Sequence, residues 1–262
     1  MSNVVDGKQL TFGSLFTGLG GLDLGLERAG LRCAFQVEIE DYPTKVLQRH
    51  WPDVPKFRDV RQVGSHNLPR VDILAGGFPC QDISNSGKKK GIEGERSGLW
   101  GEYARLIREL RPSYIVVENV AALLHRQRGF QRVLGDLAEV GYDAFWDVLP
   151  AASFGAPHIR ERVFVVAYAR SLGGHDGIPT QLFKPITPQG DPQWTPGLPM
   201  ASLTSNQRTY RSFPEHLRVG DGVPFGMERL KGCGNAVVPA VGEHVGRCLL
   251  EFHQQVFICQ AA

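Results

Sequence analysis

Through roughly the first 170 residues, short apolar runs of β-forming residues alternate with stretches of helical period, and this alternation restricts the fold more than any other feature. Leu10–Leu15 reads as a strand that runs into Phe16-Thr17-Gly18-Leu19-Gly20-Gly21. Leu22–Ala29 follows as a helix, with Leu22, Leu26 and Ala29 on one face and Gly30 as its stop. Cys33–Ile39 is a second strand, closed by acids at 38, 40 and 41, and Pro43–His50 is a helix halted by Trp51-Pro52. Val71–Ala75 and Tyr114–Val117 are further strands, separated by a helix over Leu99–Leu110 that Pro112 ends. Phe130–Val140 is helical up to Gly141, and Tyr142–Leu149 and Arg162–Tyr168 look like two more strands. Strands separated by helices of this length predict an α/β fold: a doubly wound, mostly parallel sheet with helices on both faces.

The alternation stops near Arg170. From Ser171 to Gly226 the chain is rich in Gly, Pro, Thr, Ser and Gln, with little periodicity, and reads as a small irregular region, either a loop-built small domain or a partly ordered insertion. Helical period returns over Ala236–Phe252, after Gly234-Asn235. With a net charge of only +2, any basic surface must be local, and Lys88-Lys89-Lys90 is the obvious place. Five cysteines without a CxxC pair indicate neither a disulfide framework nor a metal site, and an odd count suits a reducing compartment. No apolar leader or membrane-length segment is present, so the expectation is a soluble intracellular protein.

Two stretches carry the chemistry. In Gly76-Gly77-Phe78-Pro79-Cys80-Gln81 a cysteine follows a strand, two glycines and a rigid proline. Behind it, a polar loop to Gly98 holds Gly87, Lys88–Lys90, Gly91 and Gly94, which together read as a nucleophile beside a mobile basic lid. The second stretch is the glycine turn after the first strand, with Glu38 at the end of the next strand. Backbone close to a ligand plus a carboxylate for ribose hydroxyls would serve a dinucleotide or an adenosyl cofactor. Asp23 stands where a third glycine of the dinucleotide pattern would be, which leans away from a pyrophosphate. Gly18, Glu38, Cys80 and Glu118 all fall at carboxyl ends of strands, the edge where open α/β sheets bind ligands. Arg160 and Arg162 precede another apolar strand on one alternating face, suited to a carboxylate or ligand.

In this order, the strings resemble the DNA (cytosine-5) methyltransferase family from Phe12 to about Arg247. Phe16-Thr17-Gly18-Leu19-Gly20-Gly21 is similar to its first cofactor motif, Glu38 to its ribose-binding acid with Ile39 beside the adenine, and Asp59-Val60 to its adenine-edge contact. Gly77-Phe78-Pro79-Cys80-Gln81 resembles the nucleophile motif, and the run through Ser84, Ser86, Gly87 and Lys88–Lys90 its closing loop. Leu99 falls at an apolar cofactor contact, Glu118-Asn119-Val120 resembles the motif that holds the target base, and Arg160-Glu161-Arg162 the arginine motif. Gly234-Asn235-Ala236-Val237-Val238-Pro239 resembles the last motif, which completes the cofactor pocket. His158 stands where the family often has Gln, and the interval before Gly234 is short, with no clear ninth motif.

The resemblance implies a Rossmann-like methyltransferase fold. Residues 1–170 would form the catalytic and cofactor-binding domain, 171–233 a small target-recognition region, and 234–262 a helix returning to the catalytic domain. It implies S-adenosyl-L-methionine as cofactor, S-adenosyl-L-homocysteine as product, and methylation of C5 of a flipped cytosine in double-stranded DNA. Cys80 would attack C6, while Glu118, Arg160 and Arg162 hold the base. Cofactor contacts would come from Phe16–Gly21, Glu38, Ile39, Asp59, Val60, Gly77, Pro79, Leu99, Asn235 and Ala236. DNA contacts would come from Gln81, Ser84, Ser86, Lys88, Lys89 and Lys90, and from Arg208, Arg211 and Arg218 in the recognition region. A cytoplasmic, metal-free monomer in a prokaryotic or phage-infected cell, paired with a restriction endonuclease, fits this type. An RNA (tRNA) cytosine-5 methyltransferase is the near alternative, and a dinucleotide-dependent oxidoreductase a distant one.

Overall fold

Seven strands form one sheet in the order β3-β2-β1-β4-β5-β7-β6, reversing direction of growth at β1 and β4. The computed structural model describes residues 9–79, 98–125, 129–156, 158–172, 179–184 and 235–261. The strands are β1 (Thr11–Leu15), β2 (Arg32–Val37), β3 (Lys56–Phe57), β4 (Ile73–Gly76), β5 (Tyr114–Val120), β6 (Tyr142–Pro150) and β7 (Glu161–Ala169). The helices are α1 (Gly21–Ala29), α2 (Asp41–His50), α3 (Leu99–Leu110), α4 (Phe130–Glu139) and α5 (Pro239–Ala261).

The first five strands pair in parallel, each pair joined by a helix or a long crossover. β7 runs antiparallel to both β5 and β6. Its link from β6 is the short stretch 151–160, with a single 3-10 turn, too little chain for the helical crossover that a parallel partner needs. The resulting sheet is the mostly parallel, doubly wound α/β architecture expected from the sequence, with a reversed strand near one edge.

Alternation along the strands divides the apolar residues between two cores. On β5 and β7, Ile115, Val117, Val163, Val165 and Ala167 face α3 and α4 in one core. Tyr114, Val116, Phe164, Val166 and Tyr168 join α1 and α5 in the other. Fully burying one such side chain contributes roughly 1.5–3 kcal/mol, so a sheet covered on both faces accounts for the near-continuous apolar strands.

Three differences from the sequence reading have physical causes. β5 continues through Glu118 and Asn119 to Val120 instead of stopping at Val117, because these residues pair with Phe164, Val163 and Arg162 of β7. The two-residue β3 carries no periodic signal; its existence follows from pairing with Gln36 and Val37. α5 begins at Pro239 rather than Ala236, since proline suits a first helical position and not an interior one.

The return of α5 to the sheet depends on small residues. A Cβ added at Gly25 would lie 2.4 Å from the Pro239 carbonyl oxygen, and one at Gly246 would lie 2.7 Å from Ala29 Cβ. The two helices therefore touch nearly backbone to backbone. Buried Tyr114 on β5 fixes the far end, its hydroxyl 2.8 Å from His253 Nδ1. Leu182 and Phe183, from beyond Arg170, also join this core, and Lys184 pairs with Glu251 of α5.

Candidate active site

The carboxyl ends of β2, β1, β4 and β5, neighbours in the sheet, bring together two groups of residues. At the end of β1 the chain turns sharply, with Phe16 at φ 53°, Gly18 at φ 58° and Gly20 at φ 79°. All three lie in the left-handed region, which costs a side chain such as Phe16 of order 1 kcal/mol and glycine almost nothing. Gly20 also lies flush on the Trp51 ring, where an added Cβ would be 2.7 Å away. The Trp51 indole N–H in turn donates to Glu27 of α1 at 2.7 Å. The turn is thus strained at one residue and braced from below.

Glu38 closes this half. The Gly18 N–H donates to its Oε2 at 2.7 Å, and the Glu40 N–H to its Oε1 at 2.8 Å. Burial raises its carboxyl above the ordinary value, against the pull of those two donors. Beside it, Ile39 is 56% exposed, an apolar face turned outward where a planar ring could lie. Val60 is buried, while the Asp59 carboxylate accepts from the Arg61 backbone at 3.0 Å and from its guanidinium. That pairing holds the Asp59 carboxyl below its usual range. Arg105 of α3 ties the same turn down, donating to the Val60 and Val63 carbonyls at 3.0 and 2.9 Å.

Gly21 places the chain's C-terminal segment here as well. A Cβ on it would lie 2.1 Å from the Val237 carbonyl oxygen, so Val237 lies against the glycine turn despite its distance in sequence. Leu99, the first residue of α3, is half-buried, as is Pro79. The Gly18 backbone has open space where a side chain would be. The glycine turn, the Glu38 carboxylate, exposed Ile39 and the returning segment form a cradle that could hold an adenosyl group.

The second group is centred on Glu118. Its Oε1 lies 2.9 Å from Arg162 Nε, and both side chains are mostly buried. Burial raises the Glu118 carboxyl, opposed first by Arg162 and then by Arg160. Arg160 and Arg162 line one small cavity with Leu149, Ala151 and Val238. Gly77 covers the carboxylate: a Cβ there would be 2.3 Å from Glu118 Oε2. His158 lies nearby in charge terms, with burial and the two arginines both lowering its pKa.

Two features that the sequence reading missed join the halves. The Asn119 amide donates to the Phe78 carbonyl at 3.1 Å, fixing the segment that leads into Cys80. Phe16, Tyr103, Trp100 and Phe78 form a row of aromatic contacts with centroids 5.4–6.4 Å apart, spanning from the glycine turn to that segment. Neighbouring aromatics in α3 were the available signal, but the partner rings come from loops far away in sequence. Cys80, Gln81, Ser84, Ser86, Lys88, Lys89, Lys90, Arg208, Arg211 and Arg218 lie outside the described residues. Among the described residues no group of His, Cys, Asp or Glu could hold a metal ion, and no helix is long and apolar enough to cross a membrane.

A family model for C-5 cytosine-specific DNA methylases matches residues 10–207, about three-quarters of the sequence. The chain belongs to that family. Type II methyltransferase M.BsuFI of Bacillus subtilis is 34% identical over 172 residues, 65% of this chain and 42% of that protein. Type II methyltransferase M.HhaI of Haemophilus parahaemolyticus is 36% identical over 170 residues, 63% of this chain and 52% of that protein. The chain thus spans about half the length of the curated relatives it matches. Among solved structures, a chain described as a DNA modification methyltransferase encoded within an E. coli prophage aligns with a TM-score of 0.55 at 27% identity, covering 63% of this chain and 48% of that one. The Entamoeba histolytica methyltransferase EhMeth covers 94% of this chain and 98% of its own at a TM-score of 0.62; at 17% identity, this is a likeness of fold. Membership of the cytosine-5 DNA methylase family leaves no ground for the dinucleotide oxidoreductase reading.

Proposed function

We propose that this protein transfers a methyl group from S-adenosylmethionine to C5 of a cytosine in double-stranded DNA. The observation that carries the reading is the Glu118–Arg162 pair beneath Gly77, one strand away from the Gly18–Glu38 cradle. A base-sized polar contact and an adenosyl-sized cradle then share one sheet edge, as two-substrate transfer requires.

In this reading Phe16–Gly21, Leu99, Asn235 and Ala236 line the cofactor site, Glu38 accepts from the ribose, and Ile39, Asp59 and Val60 flank the adenine. When bound, S-adenosylmethionine supplies an electrophilic methyl group and leaves as S-adenosylhomocysteine. The rest is done by the chain. Cytosine C5 is a poor nucleophile until the Cys80 thiolate adds to C6. A free thiol near neutral pH is mostly protonated, with a pKa of about 8.5, so this site must favour the thiolate. Glu118, held against Arg162, hydrogen-bonds N3 and the exocyclic amine, while Arg162 contacts O2 and Arg160 supports the pair. Electron density displaced from the C5–C6 bond gathers at C5, which becomes methylated. Loss of the C5 proton to a base then re-forms the double bond and expels Cys80.

A stacked cytosine cannot reach these groups, so it is flipped out at a cost of roughly a few kcal/mol. The loop from Gln81 closes over it, with Ser84 or Ser86 entering the space left and Lys88–Lys90 on phosphates. Residues 171–233, including Arg208, Arg211 and Arg218, serve target recognition, between the catalytic domain (1–170) and the returning helix (234–262). M.BsuFI and M.HhaI are Type II methyltransferases, so we further propose a cytoplasmic monomer working alongside a cognate restriction endonuclease.

The test is covalent trapping on duplex DNA carrying 5-fluorocytosine with S-adenosylmethionine present. A denaturant-stable adduct is expected with the native protein and none with Cys80→Ala; equal adducts would remove Cys80 from the chemistry. Methyl transfer measured side by side on duplex DNA and tRNA separates substrates, and label on tRNA alone would sink the DNA reading.

A further inference from the structure

Asp23, in the first turn of α1, is completely buried and has no place in the transfer chemistry. Its two carboxylate oxygens are divided between two strands. Ser14 Oγ of β1 donates to Oδ1 at 2.7 Å, and Gln36 Nε2 of β2 donates to Oδ2 at 2.8 Å. The Cys33 thiol lies 4.0 Å from Oδ2, and burial pushes that thiol up, so it stays neutral. Thr17, inside the glycine turn, extends the chain of hydroxyls, its Oγ1 3.0 Å from Ser14 Oγ. Ser14 is four residues before Gly18, and Gln36 two residues before Glu38. The carboxylate therefore joins β1 to β2 directly beneath the two groups of the cradle, which are themselves linked by the 2.7 Å Gly18–Glu38 hydrogen bond.

A carboxylate placed here is costly. Burial pushes the Asp23 carboxyl up to about 6, and Glu27, one turn along α1, adds to the effect. Among the described residues its side-chain hydrogen-bond partners are neutral groups, so at neutral pH the fold carries a buried charge that an apolar residue would avoid. What an apolar residue could not do is accept from both strands at once.

We propose that Asp23 is a positioning residue for the cofactor: by accepting from Ser14 and Gln36 together, it sets the spacing between the glycine turn and Glu38. This rests on the reading of the cradle as an S-adenosylmethionine site. The hydrogen-bond geometry matters here, not the charge. An asparagine could keep both links, its oxygen accepting from Ser14 and its amide donating to Gln36 Oε1. That oxygen is buried with no hydrogen-bond partner, and a half-turn of the Gln36 amide would present it.

The experiment is calorimetric binding of S-adenosylhomocysteine to the full chain, with methyl-transfer kinetics in parallel. For Asp23→Ala the expected result is an affinity about ten- to a hundredfold weaker and a raised KM for the cofactor, with kcat at saturating cofactor and KM for DNA unchanged. Asp23→Asn should restore the affinity to within about threefold of the native protein. Ser14→Ala, which removes the β1 link to Asp23 together with the contact to Thr17 but leaves the Gln36 link, should give an intermediate loss and serves as the reading if Asp23→Ala fails to fold. Native affinity in Asp23→Ala, or in Ser14→Ala where the first variant does not fold, overturns the proposal. So does a loss in kcat rather than in cofactor KM, or an Asp23→Asn variant as weak as Asp23→Ala. A native protein that binds no S-adenosylhomocysteine would instead overturn the cofactor reading, leaving the two failures distinct.

Discussion

The two halves of the candidate site, the one proposed for the cofactor and the one proposed for the base, each hold a buried carboxylate, Glu38 just past β2 and Glu118 within β5, and they satisfy it in opposite ways. Glu38 accepts from two backbone N–H groups, which are neutral and fixed by the turn itself. Glu118 faces a guanidinium, with a second arginine lining the same cavity. Backbone donors define geometry and cannot change partners without refolding the turn. An ion pair on side chains can exchange an arginine contact for a substrate contact as a base enters. The difference fits a rigid receptor for one substrate beside a responsive contact for the other, and it makes the halves separable by mutation.

The largest expected effect falls on the base half. Glu118→Gln should lower kcat by about a hundred- to ten-thousandfold while S-adenosylhomocysteine affinity by calorimetry stays unchanged. A simultaneous loss of cofactor binding would break the separation. Next comes Gly77→Ala, whose new methyl would meet Glu118 Oε2. Overpacking of that kind costs about 1–3 kcal/mol, and a displaced carboxylate should slow single-turnover methylation by roughly ten- to a hundredfold. A normal rate would show that the glycine is not needed for close approach.

Glu38→Ala should act in the reverse sense, weakening S-adenosylhomocysteine about tenfold or more while the rate at saturating cofactor is retained. A fallen single-turnover rate at saturation would mean that the two halves are coupled. The smallest effect is on stability against pH. The folded-state pKa of Glu118 is raised by burial, so its ionisation opposes folding, and the stability it contributes when protonated is lost as pH rises through that raised value. The melting temperature of Glu118→Gln should therefore rise by a few degrees relative to that of the native protein as pH increases from below the ordinary carboxylate range through that raised value, added to the pH-independent cost of losing the Arg162 contact. A constant gap across pH would assign the effect to something other than that carboxyl.

The cofactor half was the more legible in sequence, because its signals are local. A strand, a glycine-rich turn and a helix lie within Leu10–Ala29, and Glu38 ends the very next strand. The base half was legible as motifs but not as geometry. Glu118 looked like a strand-end acid, whereas pairing with β7 puts it inside β5, and Gly77 meets it only because β4 and β5 are neighbours. The Asn119–Phe78 bond, the aromatic row from Phe16 to Phe78 and the Asp23 links depend on such neighbours too. Asp23 had shown itself only as the residue where a glycine might have been.

By itself, the sequence determined the alternation of strands and helices, the doubly wound class and the family, since each is written in local period and spacing. Tertiary structure alone decided the reversal of β7, the seating of α5 on α1 through Gly25 and Gly246, and which carboxylate meets a backbone and which an arginine. Those outcomes follow from register and close approach between segments that can be more than two hundred residues apart, and no local pattern along a chain encodes a distance across it.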